Sequence, residues 1–292
     1  MRADVREIRL PHAKFVGRIG ALLCAVFAAS GTASGASPGQ PATYGPARAW
    51  GGTTIRSLDP TRIVGAASAT TGDASTTTGH RDQVLSNETT FTRWAYVNQV
   101  AWIRSAPSGS SPRVARLAWY TPDGFPSVYL LLRSHWDRRG VEWVKLRIPG
   151  RPNGRTGWVE AGALGPFHLT HLEVVVNREQ MQMYFYSHGH KIWSAPVGVG
   201  KANTPTPTGH FWIDERFTIK DPRSGYYPYA FGTTDYSTLT EWPHGGVVGI
   251  HGPYYDPQGI PGHISHGCIR LHVADDFWLA AHLKLGTPLH VI

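Results

Sequence analysis

Trp143-Val144-Lys145-Leu146-Arg147-Ile148 is the stretch on which the fold class turns. Val144, Leu146 and Ile148 alternate with Lys145 and Arg147, and because successive side chains of an extended strand point to opposite faces, one face is apolar and the other wet. Turn-forming residues 149–154 follow and feed Gly157-Trp158-Val159. Upstream, residues 100–104 and 127–133 read as strands, separated by a loop at 105–112 and a turn at Thr121-Pro122-Asp123-Gly124. Downstream, residues 172–176, 182–186 and 191–199 read as three more, with Ser187-His188-Gly189-His190 turning the chain between the last two. A stiff Thr/Pro connector at 204–209 leads into a strand at 211–213, residues 247–250 form an apolar strand, and residues 289–292 can close a sheet. Past the N-terminal region one segment, 274–285, reads as a helix, with Phe277, Leu279, Ala280 and Leu283 on one face and Gly286 as its stop. Residues 216–246 are rich in Gly, Tyr and Pro with weak periodicity, which fits a long functional loop or a set of strands with little sequence signal. With 33 Gly, 22 Pro, 11 Trp and 12 Tyr around few helical periods, the chain is expected to be mainly β.

At 292 residues the chain is long for one domain, so two folded units or one with sizeable appendages are expected. The net charge of +8 admits nucleic acid, anionic polymers and membrane surfaces as partners. The basic residues are scattered, without a Lys/Arg block or a nucleic-acid-binding signature, and no nucleic acid is expected. Arg2, Arg6, Arg9, Lys14 and Arg18 precede an apolar run at 19–29 and small residues at 30–37, the three parts of a secretory signal, with cleavage expected after Ala36. The run of roughly 11 residues is short of the ~20 that span a bilayer, so no stable membrane span is expected and the protein should be exported. Residues 37–90 are rich in Gly, Ser, Thr and Ala and are expected to form a disordered tether, because they hold too little apolar surface to offset their ordering entropy.

Removing the signal removes Cys24 and leaves Cys268 alone, so no internal disulfide can form. Cys268 is then a buried filler, a metal ligand, an intermolecular link or a reactive thiol. Catalysis by a thiol needs a base, a group to orient the base, and donors aimed at the developing oxyanion. The apolar strand 247–250 ends in His251-Gly252, and Ser265-His266-Gly267-Cys268-Ile269-Arg270-Leu271 is a tight bend, so an imidazole and a thiol can come within reach of each other. An imidazolium beside the thiol would lower its pKa from ~8.5 into the range ~3.5–7.5. The rival reading is zinc held by His251, His263, His266 and Cys268, although that spacing is not a common zinc pattern and no second cysteine is present.

Two resemblances sharpen this reading. Trp143-Val144-Lys145 followed by Gly154-Arg155-Thr156-Gly157-Trp158-Val159 resembles the closing hairpin of a bacterial SH3-like domain, which implies a small SH3-like β-barrel over 91–165. Ile250-His251-Gly252 followed by residues 265–270 closely resembles the active-site signature of the L,D-transpeptidase (YkuD-type) family, and residues 196–201 with 204–209 resemble that family's first signature block. The resemblance implies a β-sandwich catalytic domain over 166–292 with one C-terminal helix. It implies 3→3 cross-linking of peptidoglycan stem peptides through a cysteine acyl-enzyme with release of D-Ala, in the cell wall or periplasm, with L,D-carboxypeptidase action or a non-catalytic wall-binding module as alternatives. It further implies no metal or organic cofactor and acylation by carbapenem-type β-lactams. Carried over position by position, Cys268 is the nucleophile, His251 the base and Gly252 the carbonyl that orients it. The N–H groups of His266, Gly267 and Cys268 form the oxyanion hole, and Ser265 and Arg270 bind substrate. Aromatic residues between Tyr226 and Trp242 are expected to form a lid.

Overall fold

A computed structural model describes residues 82–241, 245–252 and 259–292. The expected export signal and the tether as far as residue 81 lie outside the described residues. The chain first builds an antiparallel sheet from β1 (Gln83–Val84), β2 (Thr92–Tyr96), β3 (Trp102–Arg104), β4 (Arg113–Arg116), β5 (Val128–Trp136), β6 (Glu142–Arg147), β7 (Thr156–Glu160) and β8 (His168–Thr170). Their order is β4-β3-β7-β6-β5-β2-β8, with β1 beside β5. The alternating stretch is β6, and it pairs with β7 as a hairpin in which Lys145 faces Trp158 and Leu146 faces Gly157. Val144, Leu146 and Ile148 join Ile103, Tyr129, Leu131 and Val159 in the core of this sheet. The opposite face is not simply wet, because Trp143 is buried there and its indole N–H donates to Asp137 Oδ2 at 3.2 Å.

The last part of the expected tether, residues 82–90, is instead packed against this sheet. β1 pairs with β5, Leu85 is buried in the core, and Glu88 forms an ion pair with Arg147. The composition of 37–90 concealed this because the packed residues are few and sit at its end.

The second half contributes β9 (Leu172–Asn177), β10 (Gln182–Ser187), β11 (His190–Pro196), β12 (Gly198–Gly200), β13 (Gly209–Trp212), β14 (Phe217–Thr218), β15 (Tyr229–Tyr236), β16 (Val247–His251), β17 (Gly262–Ser265), β18 (Ile269–Arg270), α1 (Val273–His282) and β19 (Pro288–Val291). One sheet runs β11-β10-β9-β19-β13 and the other β14-β15-β16-β18-β12-β17. Val174, Phe185 and Leu289 of the first share a core with Phe231, Val248, Ile250 and Ile269 of the second. The single strand expected over 191–199 is therefore two, because after Pro196 the chain crosses from one sheet to the other. The weakly periodic 216–246 stretch contains β14 and the eight-residue β15. The helix is shorter than expected and is rotated: Asp276, Leu279 and Ala280 face the core with Leu283 after them, while Phe277 is 47% exposed. Among the described residues no helix is long and apolar enough to cross a membrane.

A third cluster joins the N-terminal sheet to the second half. Val128 and Leu130 of β5 pack with Trp212 of β13, flanked by Trp94, Tyr96, Leu132 and Leu285. The Trp212 indole N–H donates to Val128 O at 2.8 Å, so a strand of one half hydrogen-bonds the backbone of the other.

Candidate active site

β16 and β18 run parallel, with Ile250 opposite Ile269 and His251 opposite Arg270. Continuing that register by one step sets Cys268 beside Gly249, whose backbone N–H points at Sγ from 3.5 Å. His251 follows Gly249 by two residues, so its side chain leaves the same face of the sheet as that of Cys268. The sequence elements judged able to meet are thus adjacent strands of one sheet. Cys268 is partly exposed and carries a free thiol.

The bend that presents Cys268 is held from inside. The Ser265 hydroxyl is fully buried, donates to Cys268 O at 2.6 Å and accepts the Gly267 N–H at 3.1 Å. Two expectations are corrected here. Ser265 braces the bend from a buried position, and the Gly267 N–H, expected to face an oxyanion, is already donated inward. Gly267 has φ +124°, a conformation that side-chain-bearing residues rarely adopt, so glycine is required at this point of the bend. Thr206 clamps the same bend from the connector: its hydroxyl donates to Gly267 O at 2.7 Å and accepts the Gly200 N–H at 3.0 Å. Thr206 belongs to the 204–209 stretch that reads in the sequence as a stiff connector and as part of the first signature block.

His251 is buried, and Nδ1 lies 2.7 Å from Gly252 O, which accepts its proton and leaves Nε2 as the basic nitrogen. The Tyr226 ring lies 4.7 Å from the imidazole at 56°. Tyr226 is thus one aromatic of the expected lid that reaches the site; Trp242 lies outside the described residues. Burial, aided by the Arg270 guanidinium, pushes the His251 pKa down to about 4. Burial pushes the Cys268 thiol up, against the Gly249 N–H and Arg270, which lower it. At neutral pH the resting pair is a neutral imidazole and a thiol. The expected imidazolium–thiolate pair is not the ground state, because a desolvated site disfavours both charged forms.

A part of the site that the sequence did not reveal comes from the 149–154 turn of the N-terminal sheet. Arg151 donates from Nε to Ser237 O at 3.0 Å and from Nη1 to Gly245 O at 2.5 Å. Asn153 donates to Asp235 Oδ1 and Tyr236 O, both at 3.0 Å, and accepts the Tyr236 N–H at 3.3 Å. A Cβ on Gly267 would lie 3.2 Å from Ser237 Cβ, so this arm reaches the neighbour of the thiol-bearing bend. A cavity of about 440 Å³ at the same junction is lined by Tyr120, Thr121, Val128, Arg155, Asp214 and Tyr236 but by none of His251, Gly252, Ser265, His266, Gly267, Cys268 and Arg270. The zinc set weighed from sequence is not brought together: among the described residues, the group of three possible ligands with atoms within 4.8 Å of one another is Glu88, His210 and His290.

Residues 172–291 match the family model of the L,D-transpeptidase catalytic domain. The chain is 30% identical over 145 residues to YkuD of Bacillus subtilis, spanning 49% of this chain and 72% of that protein. A structure of the L,D-transpeptidase LdtMt1 in complex with imipenem aligns over 66% of this chain and 82% of its own, at 17% identity and a TM-score of 0.36. A crystal structure of an Enterococcus faecium L,D-transpeptidase aligns over 41% of this chain at 23% identity and a TM-score of 0.33, and the match spans about half (49%) of its length.

Proposed function

The chain belongs to the L,D-transpeptidase family, and from that premise we propose that it cross-links peptidoglycan stem peptides through a thioester on Cys268. The observation that carries the reading is the placement of a free thiol on a braced bend, one strand from an imidazole whose Nδ1 proton is fixed on Gly252 O. In the proposed acylation, Cys268 Sγ bonds to the carbonyl carbon of the third stem residue as His251 Nε2 takes the thiol proton. The C–N bond to the terminal D-Ala breaks, and the proton leaves with its amine. An amine of a second stem then attacks the thioester, the C–S bond breaks, and the amine proton returns through His251 to sulfur, giving a 3→3 link.

Because His251 is neutral at rest, it acts as a general base during attack, while Arg270 stabilises negative charge on sulfur. The N–H groups of His266 and Cys268 are the oxyanion donors in this proposal, with Gly267 excluded by its bond to Ser265. The N-terminal sheet is proposed as an SH3-like unit, supported by the β6–β7 hairpin formed by the residues that carry that resemblance. Export to the cell wall is proposed from the basic, apolar and small-residue pattern of the first 37 residues. A carbapenem is proposed as a covalent inhibitor, since its lactam carbonyl offers Cys268 the same acyl chemistry.

The test is mass spectrometry of the protein after incubation with imipenem and, separately, with a disaccharide-tetrapeptide. One adduct, localised to Cys268 and absent from Cys268→Ala, together with a cross-linked dimer that has lost D-Ala, is expected. An adduct at another residue overturns the nucleophile assignment, and tripeptide with no dimer assigns the acyl-enzyme to water and makes the protein a carboxypeptidase.

A further inference from the structure

His210 and His290 stand directly opposite each other on β13 and β19. Their neighbours Phe211, Leu289 and Val291 point into the core between the two sheets, so both imidazoles project from the other face, with ring centroids 4.4 Å apart. Glu88, from the segment that precedes β2, reaches the same place, and one ligand atom from each of the three lies within 4.8 Å of the others.

His290 is buried, and its Nε2 has no hydrogen-bond partner. Its Nδ1 lies 3.0 Å from Glu173 Oε1 on β9 and donates there, which fixes the tautomer and leaves Nε2 with a bare lone pair. An imidazole steered by a carboxylate at one nitrogen and unpartnered at the other is the arrangement by which proteins hold and tune metal-binding histidines.

We propose that Glu88, His210 and His290 form a binding site for a divalent transition-metal ion, zinc by its donor set, which fastens the connection between β1 and β2 to the outer face of β13 and β19. Two imidazoles and one carboxylate suit zinc, which takes them at ~2.0–2.2 Å in a tetrahedron completed by water. Such ligand atoms stand ~3.3 Å apart around the ion, so the 4.8 Å cluster must tighten, and the exposed His210 ring is the member able to move. Glu88 is held by Arg147 through Nε at 2.5 Å and Nη2 at 2.8 Å. Each carboxylate oxygen has a second lone pair, so that ion pair positions Glu88 without using up its capacity to bind.

The charges that face the cluster favour a cation. Glu88 and Glu173 are two carboxylates against the Arg147 guanidinium. The site is separate from the proposed chemistry, because β13 and β19 belong to the sheet that does not carry Cys268.

The test uses untagged, chelator-treated protein carrying Cys268→Ser, so that the thiol cannot bind the probe metal. Titration with Co(II) is expected to give one equivalent of intense visible ligand-field absorption, displaced by Zn(II), and zinc is expected to raise the thermal midpoint. His210→Ala changes an exposed residue and should fold; it is expected to weaken zinc at least tenfold. Glu173→Gln, which touches no metal, is expected to weaken it ~10–100-fold by loosening the His290 tautomer. Absence of stoichiometric binding, or binding of undiminished affinity in His210→Ala, overturns the proposal and assigns any residual metal to other surface histidines.

Discussion

The protonation state of His251 can be tested by changing pH alone. Its pKa of about 4 leaves the imidazole about 90% unprotonated at pH 5, whereas an ordinary 6.5 would leave about 3%. Between pH 7 and pH 5 the rate of acylation by imipenem should therefore fall by only about a tenth, where an unperturbed histidine would cost about 25-fold. The rate should drop only as pH falls through about 4, when the base is lost to protonation. The thiol should behave in a complementary way. Since burial raises the Cys268 pKa, alkylation by iodoacetamide should climb ~tenfold per unit from pH 6 to 8 without a plateau. His251→Ala should slow acylation by ~10²–10⁴ and leave the alkylation profile nearly unmoved, because the neutral ring gives the resting thiol no charge to lean on. Stopped-flow fluorescence for acylation and mass spectrometry for alkylation measure the two curves. An alkylation plateau below pH 7, or a 25-fold loss of acylation at pH 5, would show a preformed ion pair and refute the reasoning.

Trp212→Ala removes a side chain only 2% exposed and the hydrogen bond to Val128 O, so urea unfolding should show a loss of ~3–5 kcal/mol for the cavity and ~1 kcal/mol for the bond. A loss under ~1 kcal/mol would mean that the N-terminal sheet merely touches β13. Burial raises Asp214 to about 7 and Glu215 to about 8, so the folded state binds more protons than the unfolded one between pH ~4 and about 8, and their contribution to stability is lost as pH rises through that window. Asp214→Asn with Glu215→Gln should gain stability over the wild type at pH 8.5 and show no gain at pH 4, by urea midpoints; an equal gain at both pH values rules out titration as the cause.

How far the sequence reveals the structure depends on what each strand buries. β6 was legible because Val144, Leu146 and Ile148 go to the core as an alternating apolar set. β15 was not, because its middle buries Gly232, Thr233, Thr234 and Asp235, held by bonds that form only in the fold, such as Thr233 Oγ1 donating to Val248 O at 2.6 Å. In the helix, Asp276 took the inward position that apolarity had assigned to Phe277, and its carboxylate accepts the Tyr229 N–H at 2.9 Å. At the site, Cys268 and His251 stood out because a strand end and a glycine bend are local signals. The inward turn of the Gly267 N–H, the burial that neutralises the pair and the reach of Arg151 across 86 positions are properties of the assembled fold.

The contacts that Arg151 makes at the rim end on the carbonyls of Ser237 and Gly245, not on their side chains. The guanidinium hydrogen-bonds only the main chain at these two residues, and any residue able to follow that path offers it the same oxygens. Exchanging the side chain of Ser237 thus leaves the oxygens that Arg151 holds in place.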